Sequence, residues 1–409
     1  MSDSRVAASH RHCLGAAPWP TPDGNPWNGN TSSVSATARG EVQWSVELPG
    51  TGVGGMAVVA DGRIFLTARG RVMAFHPGGD LLWDVEAQPR GALAALADGR
   101  LIVPEGRSGY AVRDQDAGKL LGTAPGGWWL PGLTPEGHFV YTDTGVGRES
   151  DIRVSDLSGK LLWSASLVDP SAVYPPLALE RLVIVGDGPY LRAYDPKGAP
   201  LWIANHQGFE LTNQSNSPER ATQSRQPEED VRAVVWLGGD RLLAGFGAWG
   251  VHIFDFAAHT VQPLGAHVPF AVPAVVPWVP GKGVCLVTRT GPKPEGPLGF
   301  MTNHHLGMHD LEGHLLWEHA TGLDPDFIIA DVEGKVFVSC SRPFDFWEKY
   351  KRWPTYKADM EEQCFVRALS PRGEELFTWR PGGPFSSPLA IGATGELYVA
   401  AGGRLWAIG

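Results

Sequence analysis

The sequence predicts an all-β protein: an eight-bladed β-propeller of four-stranded blades, closed by N- and C-terminal strands in one blade. Three observations carry this: a recurring five-residue phrase, a tight turn found at eight places, and chain ends that read as complementary pieces of one repeat. Composition agrees. Among 409 residues, 52 Gly and 34 Pro make about a fifth of the chain, while charged residues are only 19%. This suits many short strands joined by turns.

The phrase is Gly, three residues that include an aliphatic, then Trp. It stands as Gly40–Trp44, Gly79–Trp83, Gly159–Trp163, Gly198–Trp202 and Gly313–Trp317, with degenerate copies at Gly118–Gly122 and Gly373–Phe377. The copies ending at 44, 83, 122, 163 and 202 are spaced by 39, 39, 41 and 39 residues, a period that fits four strands with their turns. Upstream of each fourth strand, short pairs such as Asp61–Gly62, Asp98–Gly99, Glu136–Gly137, Glu333–Gly334 and Thr394–Gly395 separate two β-rich runs, as a hairpin requires. At the ends, Arg404-Leu405-Trp406-Ala407-Ile408-Gly409 aligns with Arg71-Val72-Met73-Ala74-Phe75-His76, a third strand lacking its fourth. Residues 40–48 supply an orphan fourth strand. Pairing them closes the ring and removes a free sheet edge. The division expected is an arm over residues 1–39, dispensable for folding, and a propeller over 40–409.

These residues resemble the PQQ-like repeat superfamily, which includes quinoprotein alcohol dehydrogenases and the outer-membrane assembly propeller lipoprotein. The clearest copy is Ala193-Tyr194-Asp195-Pro196-Lys197-Gly198-Ala199-Pro200-Leu201-Trp202, and Trp19-Pro20-Thr21 to Asn25-Pro26 resembles the lead-in segment before the first strand. The resemblance implies the fold. The dehydrogenases it includes carry a vicinal cysteine disulfide and a calcium set beside the quinone. Here Cys13, Cys285, Cys340 and Cys364 include no adjacent pair, and no C-x-x-C-H haem motif is present. No cofactor is predicted, and PQQ is not expected.

Charge and hydropathy bound the partners. Lys and Arg total 34 against 44 Asp and Glu, giving −10, so neither nucleic acid nor an anionic membrane is expected as a partner. The first twenty residues hold no apolar run of signal-peptide length, and Phe270 to Val279 is broken by two prolines, so a cytoplasmic location is expected.

Strand alternation assigns the first-to-second and third-to-fourth turns to one face and the remaining connections to the other. The former are short. Long segments at 208–230, 291–303 and 341–363 all fall on the second face, which makes it the candidate functional surface. His304, His305 and Asp345 are the candidate catalytic residues there, and His206, Arg148, Trp347, Tyr350, Arg352 and Trp353 the candidate ligand- or partner-binding residues. Asp143, Arg148, Asp324, Asp326 and Asp345 lie in loops of the same face and read first as solvated loop charges, with convergence across the ring mouth as the alternative. His76, His309 and His314 occupy repeat positions and read as structural; no metal site is predicted. Cys340 and Cys364 bracket the 341–363 insertion, where antiparallel pairing brings them near each other as free thiols. The function expected is a non-redox binding propeller presenting this face to a protein partner or small ligand. The alternative is a cytoplasmic lyase or cyclase, of a kind found in specialised metabolism, with its site at the channel mouth on the same face.

Overall fold

The computed structural model describes residues 31–49, 53–89, 91–106, 109–126, 131–143, 150–167, 176–210, 230–246, 250–264, 274–277, 282–289, 304–321, 324–341, 364–383, 385 and 389–409, together with Leu14 and Ala17. Among these residues every regular element is a strand, and no helix is long and apolar enough to cross a membrane. The strands form eight antiparallel sheets. Blades one to seven cover 53–86, 94–125, 132–167, 177–210, 231–263, 274–320 and 324–379, and the eighth joins 390–408 to Val42–Glu47. First strands of neighbouring blades touch one another at several joints, including Ala390–Ile391 against Val53–Val58 across the seam. They are buried, whereas fourth strands such as Leu81–Glu86 are half-exposed. The core is thus a stack of interblade layers around an axis.

One device repeats at the joints. In blades one, three and six and in the closing blade, the fourth-strand tryptophan donates its indole N–H to a carbonyl in the turn of the next blade. Trp44 bonds Pro77 at 2.9 Å, Trp83 bonds Gln115 at 2.9 Å, Trp163 bonds Pro196 at 3.0 Å and Trp317 bonds Pro371 at 2.9 Å. The ring then lies on the phrase glycine of that next blade. A Cβ on Gly118 would sit 2.8 Å from Trp83, and one on Gly198 2.7 Å from Trp163, so only glycine admits the indole. Both glycines also have positive φ, 67° and 90°. A bulge just before the aromatic position helps to set its direction. It recurs at Ala74/Phe75, Val112/Arg113, Val154/Ser155, Ala193/Tyr194, Met308/His309 and Ala368/Leu369. The Asp of the same turn fixes its backbone: Asp195 Oδ1 accepts from the Lys197 and Ala199 N–H groups, each at 2.8 Å.

The seam is formed by Val42–Glu47 pairing antiparallel with Arg404–Ile408, in the register Trp44 to Ala407 and Glu47 to Arg404. Arg404 also reaches Ser45 Oγ at 3.0 Å and Glu47 Oε1 at 3.2 Å. The largest core cluster spans this joint, with Leu66, Phe75, Phe337, Tyr398, Leu405 and Ile408 almost fully buried.

The structure departs from the sequence expectation in two places. Blade four has five strands, because Gly208–Glu210 folds back on Pro200–Asn205 instead of starting a loop. Residues 31–38 are not a separate arm: Ser32 N–H bonds the Ala330 carbonyl at 2.9 Å, Thr37 N–H bonds Gly395 at 2.8 Å, and Ala36 N–H bonds Asp331 Oδ2 at 2.9 Å. Asp331 is fully buried and also holds Lys335 Nζ at 3.1 Å. Leu14 is buried as well, among Leu96, Ile102, Leu133 and Phe139 of blades two and three. The cysteine expectation holds: Cys340 stands opposite Phe365 in the ladder, next to Cys364, and both are buried free thiols.

Deleting residues 404–409 exposes two strand edges, and the truncated protein is expected to aggregate or elute as an expanded species by size-exclusion chromatography with light scattering. Asp331→Ala removes the carboxylate that accepts from the Ala36, Glu333 and Lys335 backbone N–H groups and is expected to cost about 3 kcal/mol in urea unfolding. Burial lowers the pKa of His309 and of His319. The unfolded chain therefore binds more protons below the ordinary histidine range, so their contribution is present above about pH 6.5 and is lost as pH falls through the folded values. The urea midpoint should drop between about pH 7 and about pH 5, and less so in a His309→Phe, His319→Gln double variant.

Candidate functional site

The first-to-second and third-to-fourth turns leave the blades at one face, and the long connections leave at the other. Arg289 leads to His304 and Ser341 to Phe365, each pair of strand ends lying on that second face; Asn205 also ends there, but Gly208–Glu210 turns back along it before the chain reaches Val231. Of the residues that sequence reasoning placed here, Arg148, Asp345, Trp347, Tyr350, Arg352 and Trp353 lie outside the described residues. So do 211–229, 290–303 and 342–363.

His206 sits in the two-residue turn that leads into the added strand of blade four. Asn205 Oδ1 accepts from Gln207 N–H at 2.8 Å and Gly208 N–H at 3.2 Å, which bends the chain back. The His206 ring then meets Phe246 and His252 of blade five, each with centroids 6.1 Å apart, and Phe209 packs on Trp202, Phe254 and His259. His252 is buried and its Nδ1 has no hydrogen-bond partner. Burial lowers its pKa, and the neighbouring His206 lowers it further, so the neutral ring is favoured.

His304 and His305 begin the third strand of blade six, opposite Arg289 and Thr288. His305 Nδ1 lies 3.6 Å from Glu318 Oε2. His319, on the next strand, is held differently. Arg367 of blade seven donates from Nη1 to its Nε2 at 3.1 Å, so that nitrogen is an acceptor and the ring is neutral. Arg367 is itself fixed by Glu375 at 3.2 Å and by the Phe365 ring 4.7 Å below its guanidinium. The structure thus pairs His305 with Glu318, and holds Asp143 in an ion pair with Arg153 at 2.8 Å. His309 is buried in its strand, and His314 bonds Asp310 in its turn at 2.9 Å; the structural reading of both stands.

A cavity of about 460 Å³ opens on the same face between blades one and two, lined by Arg69, Gly70, Arg71, Glu86, Ala87, Gln88, Glu105 and Arg113. Sequence reasoning missed it because its loops are short. The signal was present: the alignment of the chain's last strand with Arg71–Phe75 sets Arg69-Gly70 against Gly402-Gly403. Among the described residues no group of three or more His, Cys, Asp or Glu side chains is placed to hold a metal ion.

Residues 30–121 match the family model described as outer membrane protein assembly factor BamB. No curated protein matches the chain in sequence. Among solved structures, quinohemoprotein alcohol dehydrogenase from Comamonas testosteroni is 13% identical with a TM-score of 0.63, covering 100% of this chain and 82% of its own. BamB from Moraxella catarrhalis is 16% identical with a TM-score of 0.57, over 90% of this chain and 98% of that one. A europium-containing methanol dehydrogenase is 11% identical with a TM-score of 0.62, over 97% and 91%. At these identities the likeness is one of fold, and it agrees with the eight sheets, the closing strand pair and the tryptophan joints: the chain is an eight-bladed β-propeller, similar in fold to the quinoprotein dehydrogenases and BamB.

Proposed function

We propose that this protein is a non-redox binding propeller whose long-connection face receives a protein partner. The supporting observation is the asymmetry of the ring. Two long connections, between Arg289 and His304 and between Ser341 and Phe365, share one face with the His206 turn and the start of the Val231 strand, while the opposite face is finished with short hydrogen-bonded turns. Long segments on a rigid scaffold are where recognition collects, and the 342–363 segment carries the Trp, Tyr and Arg residues that anchor protein interfaces. The match to a family model named for an assembly factor points the same way. A quinone cofactor is not part of this reading. The sequence has no adjacent cysteines, and the described residues offer no carboxylate-rich group for calcium beside a quinone.

The His305–Glu318 pair favours the second reading, an enzyme of lyase or cyclase type, because a carboxylate beside an imidazole supports proton transfer. A pull-down from native lysate with quantitative mass spectrometry of proteins and small molecules separates the two. Arg352→Ala and Trp353→Ala should deplete one captured protein by about tenfold or more, with His305→Ala nearly neutral. His76→Ala, Lys160→Ala, Lys197→Ala and His314→Ala on the opposite face should leave capture unchanged. Equal losses from both faces would overturn the assignment. Loss of a small-molecule product confined to His305→Ala would favour the enzyme.

A further inference from the structure

The groove between blades one and two holds a backbone anomaly that the repeat itself exposes. Three blades connect their second and third strands by two residues: Arg69-Gly70 in blade one, Gly188-Pro189 in blade four and Gly402-Gly403 in blade eight. The first of these residues has φ of 61° at Gly188 and 60° at Gly402, a conformation open to glycine. In blade one the residue is Arg69, at φ 20°. A non-glycine residue held there is strained, and such strain collects where a side chain is needed.

The surroundings are built to hold that side chain over the cavity. Ala87 N–H bonds the Gly70 carbonyl at 2.8 Å, and Gly106 N–H bonds Gln88 at 3.2 Å, so the crossover is tied to both blades. Arg113 is nine-tenths buried. Its plane is set by Glu105 Oε1 on Nε at 2.8 Å and by the Gly118 carbonyl on Nη1 at 3.0 Å. Arg71 is fixed in the same manner by Asp84 at 2.5 Å. Arg69 and Glu86, by contrast, make no hydrogen bond or ion pair with the described residues. Two guanidiniums are therefore locked, while the Arg69 guanidinium and the Glu86 carboxylate, which acts on Arg71 only through its charge, make no direct bond to the described residues around a cavity of ligand size.

Charge balance selects the ligand class. Among the described residues, Arg69, Arg71 and Arg113 are matched by Asp84, Glu86 and Glu105, so the charges of these side chains balance. A simple anion or cation would unbalance them; a molecule carrying both charges would not. We propose that this groove binds a small zwitterion of the α-amino-acid class, with its carboxylate against Arg69 and Arg113 and its ammonium against Glu86. The planar fork of a guanidinium suits a carboxylate, and the volume of about 460 Å³ leaves room for a side chain. This goes beyond the partner-binding reading and does not depend on it.

Isothermal titration of the full chain with each proteinogenic L-amino acid, and with the N-acetyl and carboxamide derivatives of any that binds, tests the proposal. One or more should bind at a single site, and each blocked derivative should bind about tenfold more weakly or worse. Glu86→Gln should weaken binding similarly. Arg69→Gly is the decisive variant: it should lose binding while its melting temperature stays level or rises, because glycine relieves the turn. A residue kept only for structure would not give that combination. Absence of binding by every amino acid, equal binding of the N-acetyl derivative, or undiminished binding to Arg69→Gly would overturn the proposal. The pull-down above can fail without touching this result, and the reverse is also true.

Discussion

The ring depends on one contact made repeatedly: an indole laid on a glycine, with its N–H pinned to a carbonyl one blade further on. Each element constrains the others. The bulge before the tryptophan directs the ring outward from its own sheet, the positive φ of the glycine makes the receiving turn, and the missing Cβ lets the ring reach the backbone. A methyl group on Gly118 would collide with Trp83, whereas the indole hydrogen bond to Gln115 is worth about 1 kcal/mol by itself. Steric fit, more than the hydrogen bond, sets the angle between neighbouring sheets.

The joint between blades four and five shows what happens where that contact lapses. Trp202 is present, but it stacks on Phe256 with centroids 6.2 Å apart instead of lying on a glycine. Phe209 from the added strand closes its other side at 5.3 Å. An aromatic cluster thus replaces the repeated lock. The next fourth strand, Thr260–Pro263, lacks the phrase altogether. Irregularity in the ring begins where the long connections begin, at Glu210.

This pattern explains how much was legible beforehand. Glycine and tryptophan at fixed spacing announce the blades because the glycine must lack a Cβ where the ring of the neighbouring blade lies, and the split repeat at the ends announces closure. The strand Gly208–Glu210 was hidden in a polar connection: three residues carry no periodicity, and only Phe209's contacts hold it. The docking of residues 31–38 was hidden for a related reason. It rests on Asp331, which already serves its own turn by accepting from Glu333 and Lys335, and nothing in the sequence shows that its second oxygen is spent 295 residues away. Long loops drew the search for function to three insertions, so a groove made of a two-residue turn and a short crossover went unnoticed until the blades were assembled.

The closing strand pair sets a condition on biosynthesis. Arg404–Ile408 is translated some 360 residues after Val42–Glu47, its partner in the register, so a ribosome-bound chain carries an unmatched edge strand throughout elongation. Complete blades emerge in order and pack against their predecessors, yet the first and last remain joined only through those between. Closure is a single late event with a very large loop to bring together, and loops of that size make it slow. During that interval the nascent ring offers its edge to any other strand nearby, and the half-exposed Val42–Glu47 is where a chaperone would have to stand guard.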